Sequence, residues 1–201
     1  MRNKIILAMA AAGMMCASSA FAEDSGSGTI NFTGSVIDAP CSVSTDSQNI
    51  NVILGQVSKN RLKSANESSD PKKITISLLN CSFEAPPAPV PNLKSTEKAT
   101  TNYSKVAVAF TPSVALDAGA LQKGEIANTA PSPATNVVIQ LLKSDGVTPV
   151  NLSSEPTQDD ATQLNTASET NDLIFYARML ATGVATPGAV GASVTYKLKY
   201  F

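Results

Sequence analysis

Residues 191–201 read GASVTYKLKYF and alternate without a break. Ala192, Val194, Tyr196, Leu198 and Tyr200 fall on one side of a strand. Ser193, Thr195, Lys197, Lys199 and Phe201 fall on the other. A period of two gives one apolar face and one mostly polar face. The sequence stops there, so no hairpin partner follows. The strand either pairs with an earlier part of the chain or leaves one edge for another molecule.

The same period recurs along the chain. Residues 28–36 place Gly28, Ile30, Phe32 and Gly34 on one face, after a polar, glycine-rich arm (EDSGSG) expected to be flexible. Residues 49–55 read as a short apolar strand ending in a glycine turn. Residues 73–81 alternate Ile74, Ile76 and Leu78 against Lys73, Thr75 and Ser77. Further strands are expected over 105–110, 136–143 and 172–182, with a short one over 147–152; residues 116–127 are ambiguous, fitting a short hairpin around Gly119 or Gly124 and excluding a helix least firmly. Residues 59–71 and 155–170 are polar and loop-like. Pro86, Pro87, Pro89 and Pro91 forbid a central strand in residues 84–102, which read as a long exposed loop. Seven or eight short strands separated by turn chemistry, with no run long enough for a confident helix, describe an all-β sandwich of immunoglobulin-like size. The chain has no tryptophan, which argues against a true antibody-type domain.

Compartment follows from the front of the chain. Arg2 and Lys4 precede a short apolar run, and Ala20-Phe21-Ala22 forms an A-x-A site before Glu23. Residues 1–22 therefore read as a secretory signal peptide, too short for a membrane anchor. Met14 and Met15 stand before Cys16 where a lipid-attachment site wants small residues. Cleavage leaves Cys41 and Cys81. An even pair in an exported chain reads as a disulfide, the alternative being two free buried thiols. Removing Arg2 and Lys4 from the 15 basic residues leaves 13 against 16 acidic, a net charge of −3. That balance offers no basic patch, so nucleic acid is not an expected partner.

The chain contains no histidine, the side chain most often used as a base near neutral pH. Neither remaining cysteine lies in a C-x-x-C, so no metal site is expected. Asp159 and Asp160 sit in a polar loop and read as solvated charges. No serine stands in a recognised nucleophile motif, and no glycine-rich phosphate loop or calcium loop is present. No enzymatic activity and no cofactor are expected.

Several motifs, in order, carry a resemblance. They are Phe32-x-Gly34-x-Val36 before Cys41, Ile53-Leu54-Gly55-Gln56-Val57, Cys81 at its spacing from Cys41, and Ala134-Thr135-Asn136-Val137. The back of the chain is most specific: Phe175-x-Ala177-Arg178-x-x-Ala181-Thr182-Gly183, then Ala185-Thr186-Pro187-Gly188, with Tyr200 penultimate. Over nearly all of the expected mature chain, these residues resemble the major structural subunits of type 1-like fimbriae. Gram-negative bacteria assemble these by the chaperone–usher pathway. Residues 84–102 depart from the pattern, being longer than usual for the family.

The resemblance implies an incomplete immunoglobulin-like sandwich lacking its last strand, completed by a donor strand from a chaperone or a neighbouring subunit. It divides the chain into a signal peptide (1–22), an N-terminal donor extension (23–33) and a pilin domain (34–201). Gly28, Ile30 and Phe32 would be the donor residues. Gly188, Val194, Tyr196, Leu198, Tyr200 and Phe201 would form the acceptor groove and chaperone-binding strand, with the carboxylate of Phe201 anchored by the chaperone. The expected partners are identical subunits in a head-to-tail polymer, a periplasmic chaperone, an outer-membrane usher, and tip or adaptor subunits. The expected product is an extracellular fimbrium on the cell surface. A minor or adaptor subunit and a secreted immunoglobulin-like binding module are the alternatives. A two-domain adhesin is not expected, since the first pilin-like strand begins too soon after the cleavage site.

Overall fold

The computed structural model describes residues 29–36, 39–82 and 103–201. The expected signal peptide, Gly28 and the proline-rich residues 84–102 lie outside the described residues. The chain divides into two units, Met1–Val36 and Ile37–Phe201. In the first, residues 29–36 form no strand, contrary to the alternation-based expectation. Alternation prepares two faces, but a strand also needs a neighbour to pair with, and no ladder reaches these residues. Ile30 and Phe32 are 76% and 90% exposed.

The longer strands of the second unit are ones that the sequence marks out. β1 (Ser42–Val43), β2 (Lys72–Leu79), β4 (Glu125–Ile126), β5 (Val137–Leu142) and β7 (Thr170–Ala181) form one sheet, in the order β1-β2-β7-β5-β4. β3 (Lys105–Pro112), β6 (Thr162–Gln163) and β8 (Val194–Tyr200) form the other, in the order β6-β3-β8. Every pairing within the two sheets is antiparallel. The inward positions of β2 are Ile74, Ile76 and Leu78, as the alternation requires. In β7 the buried positions include Leu173, Ala177 and Met179, and Ile76 pairs with Leu173 across the β2–β7 ladder.

The core fills the space between the sheets. Ile76, Leu78 and Val106 are its largest fully buried side chains, each contributing about 1.5–3 kcal/mol by leaving water. Phe110 and Phe175 meet edge to face at 4.9 Å between ring centres. Cys41 and Cys81 are bonded, joining the chain just before β1 to the end of β2. Closing a loop of this length contributes about 3–4 kcal/mol by restricting the unfolded chain. Beside the bridge, the Ser82 amide donates to the Pro40 carbonyl at 2.9 Å.

Several local expectations give way; residues 59–71, read as loop, hold a 3-10 turn at Lys59–Arg61 and a bridge from Ser68 to Leu180. Residues 116–127 are not a hairpin but a short helix, α2, followed by β4. Asp117 caps α2 (Ala118–Gln122) by accepting from the Ala120 amide at 3.0 Å, a local bond that an alternation test does not register. Gly124 then turns the chain with φ +70°, and a Cβ there would meet the Leu141 carbonyl oxygen at 2.5 Å. Residues 147–152 make only a single bridge, Leu142 to Pro149. The amides of Val147 and Thr148 donate instead to the Asp145 carboxylate, so they are lost to a ladder. Residues 155–170 are not loop throughout. They hold a 3-10 turn at Gln158–Asp160 and the two-residue β6. Asp160 caps that turn at Thr157 and pairs with Lys143 at 2.8 Å.

Candidate functional site

The remaining departure from the expected fold lies at the candidate site. Residues 49–55 alternate, yet they form no strand. Ile50, Val52 and Leu54 turn inward against the core while Asn51, Ile53 and Gly55 are exposed, as in a strand. Among the described residues, however, the backbone groups of residues 50–57 enter no hydrogen bond with protein. The side-chain half of a strand is present and the ladder half is absent. Helix α1 (Thr45–Gln48) leads into this segment. It was not expected from the sequence, because four residues carry no helical periodicity.

Opposite this segment lies β8, whose alternation settles on both of the outcomes first considered. One edge pairs with β3 along the register Val106–Tyr200 to Pro112–Val194. The amides and carbonyls of Lys105 and Phe201 exchange both hydrogen bonds, at 3.0 and 2.9 Å. An antiparallel ladder repeats such exchanges at every second residue. Thr195, Lys197 and Lys199 therefore point their backbone groups at β3. Val194, Tyr196, Leu198 and Tyr200 point theirs at the other edge, where no strand of the described residues pairs.

Between the two walls is an open groove of about 1860 Å³. Its floor includes Ile74, Ile76, Phe110, Ile139 and Leu141. Asn49 to Val57 line one side, and Thr186 to Tyr196 together with Leu198 the other. Lys59 is the one charged residue among those lining it. Such a cleft offers apolar contact below and two rows of unpaired backbone groups at its sides. It suits an uncharged, extended segment with apolar side chains at alternate positions, and it penalises a charge that it would strip of water.

The residues expected at the site are placed as follows. Gly188, Val194, Tyr196 and Leu198 line the groove. Gly188 serves a close approach: a Cβ there would lie 2.3 Å from the Ala134 backbone nitrogen. That contact lets Ala189 bridge to Pro133, with the Ala134 amide donating to the Ala189 carbonyl at 2.9 Å. Tyr200 and Phe201 do not line the groove. Tyr200 lies beyond its end, its ring 6.0 Å from that of Tyr103. Its hydroxyl is buried, and that burial raises its pKa against the opposing effect of the Cys41 backbone. Phe201 pairs with Lys105, and the Lys199 ammonium sits 5.4 Å from the centre of its ring. Ile30 and Phe32 belong to the first unit and are exposed there.

Sequence reasoning missed one feature of the site. The Tyr196 hydroxyl donates to the Ser47 carbonyl at 2.7 Å. The partners stand 149 residues apart, and no spacing rule connects them. Burial raises the pKa of this phenol, so it stays a protonated donor. Among the described residues, no group of three or more His, Cys, Asp or Glu is placed to hold a metal ion.

Fold and groove together define a class: an immunoglobulin-like sandwich with one strand position unfilled. Comparison with known proteins supplies the family. The family model for fimbrial protein matches residues 30–201. The chain is 35% identical to an F17 fimbrial protein of Escherichia coli, over 94% of this chain and 95% of that one. It is 32% identical to the major MR/P fimbria protein of Proteus mirabilis, over 98% of both chains. Among solved structures it is similar to a subunit of a chaperone–usher pilus, with a TM-score of 0.64 and 25% identity over 88% of this chain and 97% of that chain. It is likewise similar to the P pilus rod subunit PapA, with a TM-score of 0.58 and 26% identity over 81% of this chain and all of the other. The chain belongs to the fimbrial protein family. It is a structural subunit of an extracellular pilus and not an enzyme.

Proposed function

We propose that this chain is a shaft subunit that polymerises head to tail by lending its own N-terminal segment to the groove of the next copy. The observation that carries this reading is the groove with two unpaired walls. A strand laid between them would bond to β8 on one side and to residues 50–57 on the other, completing both at once. The donor residues are Gly28, Ile30 and Phe32, on the extension 23–33. Ile30 and Phe32 supply uncharged apolar side chains two residues apart, and both are exposed. Each contributes about 1.5–3 kcal/mol when buried. Gly28 would lie where the groove floor approaches the donor backbone most closely. Arm and groove are different surfaces of one chain, so the contact is heterologous. It extends into an open filament unless the rotation closes.

An unfilled groove is a hazard, because apolar surface and unpaired edges invite aggregation. In this reading the chain is exported after loss of residues 1–22. A periplasmic chaperone fills the groove with a strand of its own along β8 and holds the carboxylate of Phe201. An outer-membrane usher then exchanges that strand for the arm of the next subunit. Tip and adaptor subunits join through the same kind of contact. The similarity to major subunits and rod subunits supports the shaft position.

The test is deletion of residues 23–32 in a chain co-expressed with its chaperone. The expected product is a soluble one-to-one complex that accepts an arm but donates none, so no filaments appear by negative-stain microscopy. Filaments built from the deleted chain would overturn the proposal.

A further inference from the structure

The two walls of the groove are held together by very little. Between residues 44–57 and β8, the described residues make one hydrogen bond, from the Tyr196 hydroxyl to the Ser47 carbonyl. Apolar packing, the other means of holding such walls, fixes neither spacing nor direction.

The acceptor of this bond is itself anchored. Ser47 is 3% exposed. Its hydroxyl oxygen accepts from the Ser77 amide at 2.9 Å and lies 2.8 Å from the Ser44 hydroxyl. The Ser44 amide in turn donates to the Ser77 carbonyl at 2.9 Å. Ser44 and Ser47 thus continue the edge of β2 beyond the two residues of β1. The donor is anchored as well, since Tyr196 stands opposite Phe110 in the β3–β8 ladder and Phe110 is packed on Phe175. A short polar chain therefore runs from β8 through Tyr196 and Ser47 to β2, joining the two sheets where the groove begins.

We infer that Tyr196 is a positioning residue of the groove, its bond to Ser47 fixing the spacing of the walls so that an incoming strand seats in one register. Register needs such a device here. Within a strand of period two, a slip of two residues returns apolar side chains to the same face, so alternation alone does not forbid it. A groove of fixed width discriminates between Ile30 and Phe32 at a given depth. A groove free to spread accepts either. The inference rests on the strand-donation reading above.

The experiment uses the full chain held by its chaperone, so that no other copy's arm occupies the groove, and a synthetic peptide of residues 28–36, in excess, carrying a photoreactive phenylalanine analogue at position 32. Cross-linked sites are mapped by mass spectrometry, and peptide release is followed by fluorescence. Wild-type chain should cross-link within one narrow set of groove residues. Tyr196→Phe keeps the ring and removes the donor. It should add a second set displaced by two residues and release peptide about tenfold faster, the effect of one hydrogen bond. Ser47→Ala loosens the anchor without touching Tyr196 and should shift both readouts the same way by a smaller factor. Intact folding of both variants is checked by circular dichroism and by retention of the Cys41–Cys81 bond. Variants matching wild type in both cross-link pattern and release rate would overturn the inference and leave strand donation standing. A wild-type chain that takes up no peptide would overturn both.

Discussion

β7 and β8 carry the same kind of sequence in different surroundings. β7 lies between β2 and β5 and is bonded along both edges. β8 has β3 on one edge and no strand of the described residues on the other. The inward side chains register the difference. Of the inward residues of β7, Leu173, Ala177 and Met179 are buried and Phe175 half-buried, whereas Val194, Tyr196, Leu198 and Tyr200 of β8 are all only half-buried. A period of two fixes which face turns inward. How far that face is covered depends on neighbours, and β8 lacks one. The apolar face of β8 is thus half of a contact whose other half comes from outside the described fold.

The largest expected effect separates the two faces of β8. Leu198→Asp puts a carboxylate on the groove side, where a seated strand would strip it of water. Heat- and SDS-resistant multimers should disappear on gels. Lys197→Asp makes a comparable change on the outward face and should leave them intact. Equal loss in both variants would break the distinction between covered and uncovered faces.

A smaller effect sharpens it. Ile76→Ala empties a fully buried site in β2 and should cost about 3 kcal/mol in urea unfolding, whether or not the groove is filled. Leu198→Ala should cost about 1 kcal/mol in the open chain and about 2–3 kcal/mol with a peptide of residues 28–36 bound. The growth of that cost on filling measures how much of the core of β8 is supplied from outside.

The smallest effect concerns the loop that backs the closed side of the sandwich. The Lys143 ammonium, with the Thr157 amide and hydroxyl, holds Asp160 below the usual carboxylate range. A depressed folded pKa means stability that is present above the unfolded value near 4 and is lost as pH falls through the folded value. Asp160→Asn should flatten the acid limb of stability below about pH 4 by a few tenths of a kcal/mol, since both partners are partly solvated. It should leave multimer formation at neutral pH unchanged.

Much of this architecture is legible in the residues. Ile74, Ile76 and Leu78 mark β2, and Val194, Tyr196, Leu198 and Tyr200 mark the inner face of β8, because a side-chain period is a local property. Ile50, Val52 and Leu54 mark an inward face equally well, but nothing local shows that their backbone stays unpaired. α1 is invisible and α2 only ambiguous for a related reason: four or five residues do not sustain a helix alone, and the surrounding structure holds them. Tyr200 shares the face of Leu198 by alternation yet falls past the end of the groove, since the length of a cleft is set by the elements that flank it. The bond from Tyr196 to Ser47 joins residues that only the completed sandwich brings together.

The Cys41–Cys81 bond acquires a further meaning from its position. It secures the chain just before the two-residue β1, from which the segment with the unpaired backbone departs. With both thiols reduced, that root would depend on the short β1–β2 ladder, the bond from the Ser82 amide to the Pro40 carbonyl, and the bonds of Ser44 and Ser47 to Ser77. The bond therefore ties the firmness of the first groove wall to the oxidation state of two side chains outside the groove itself.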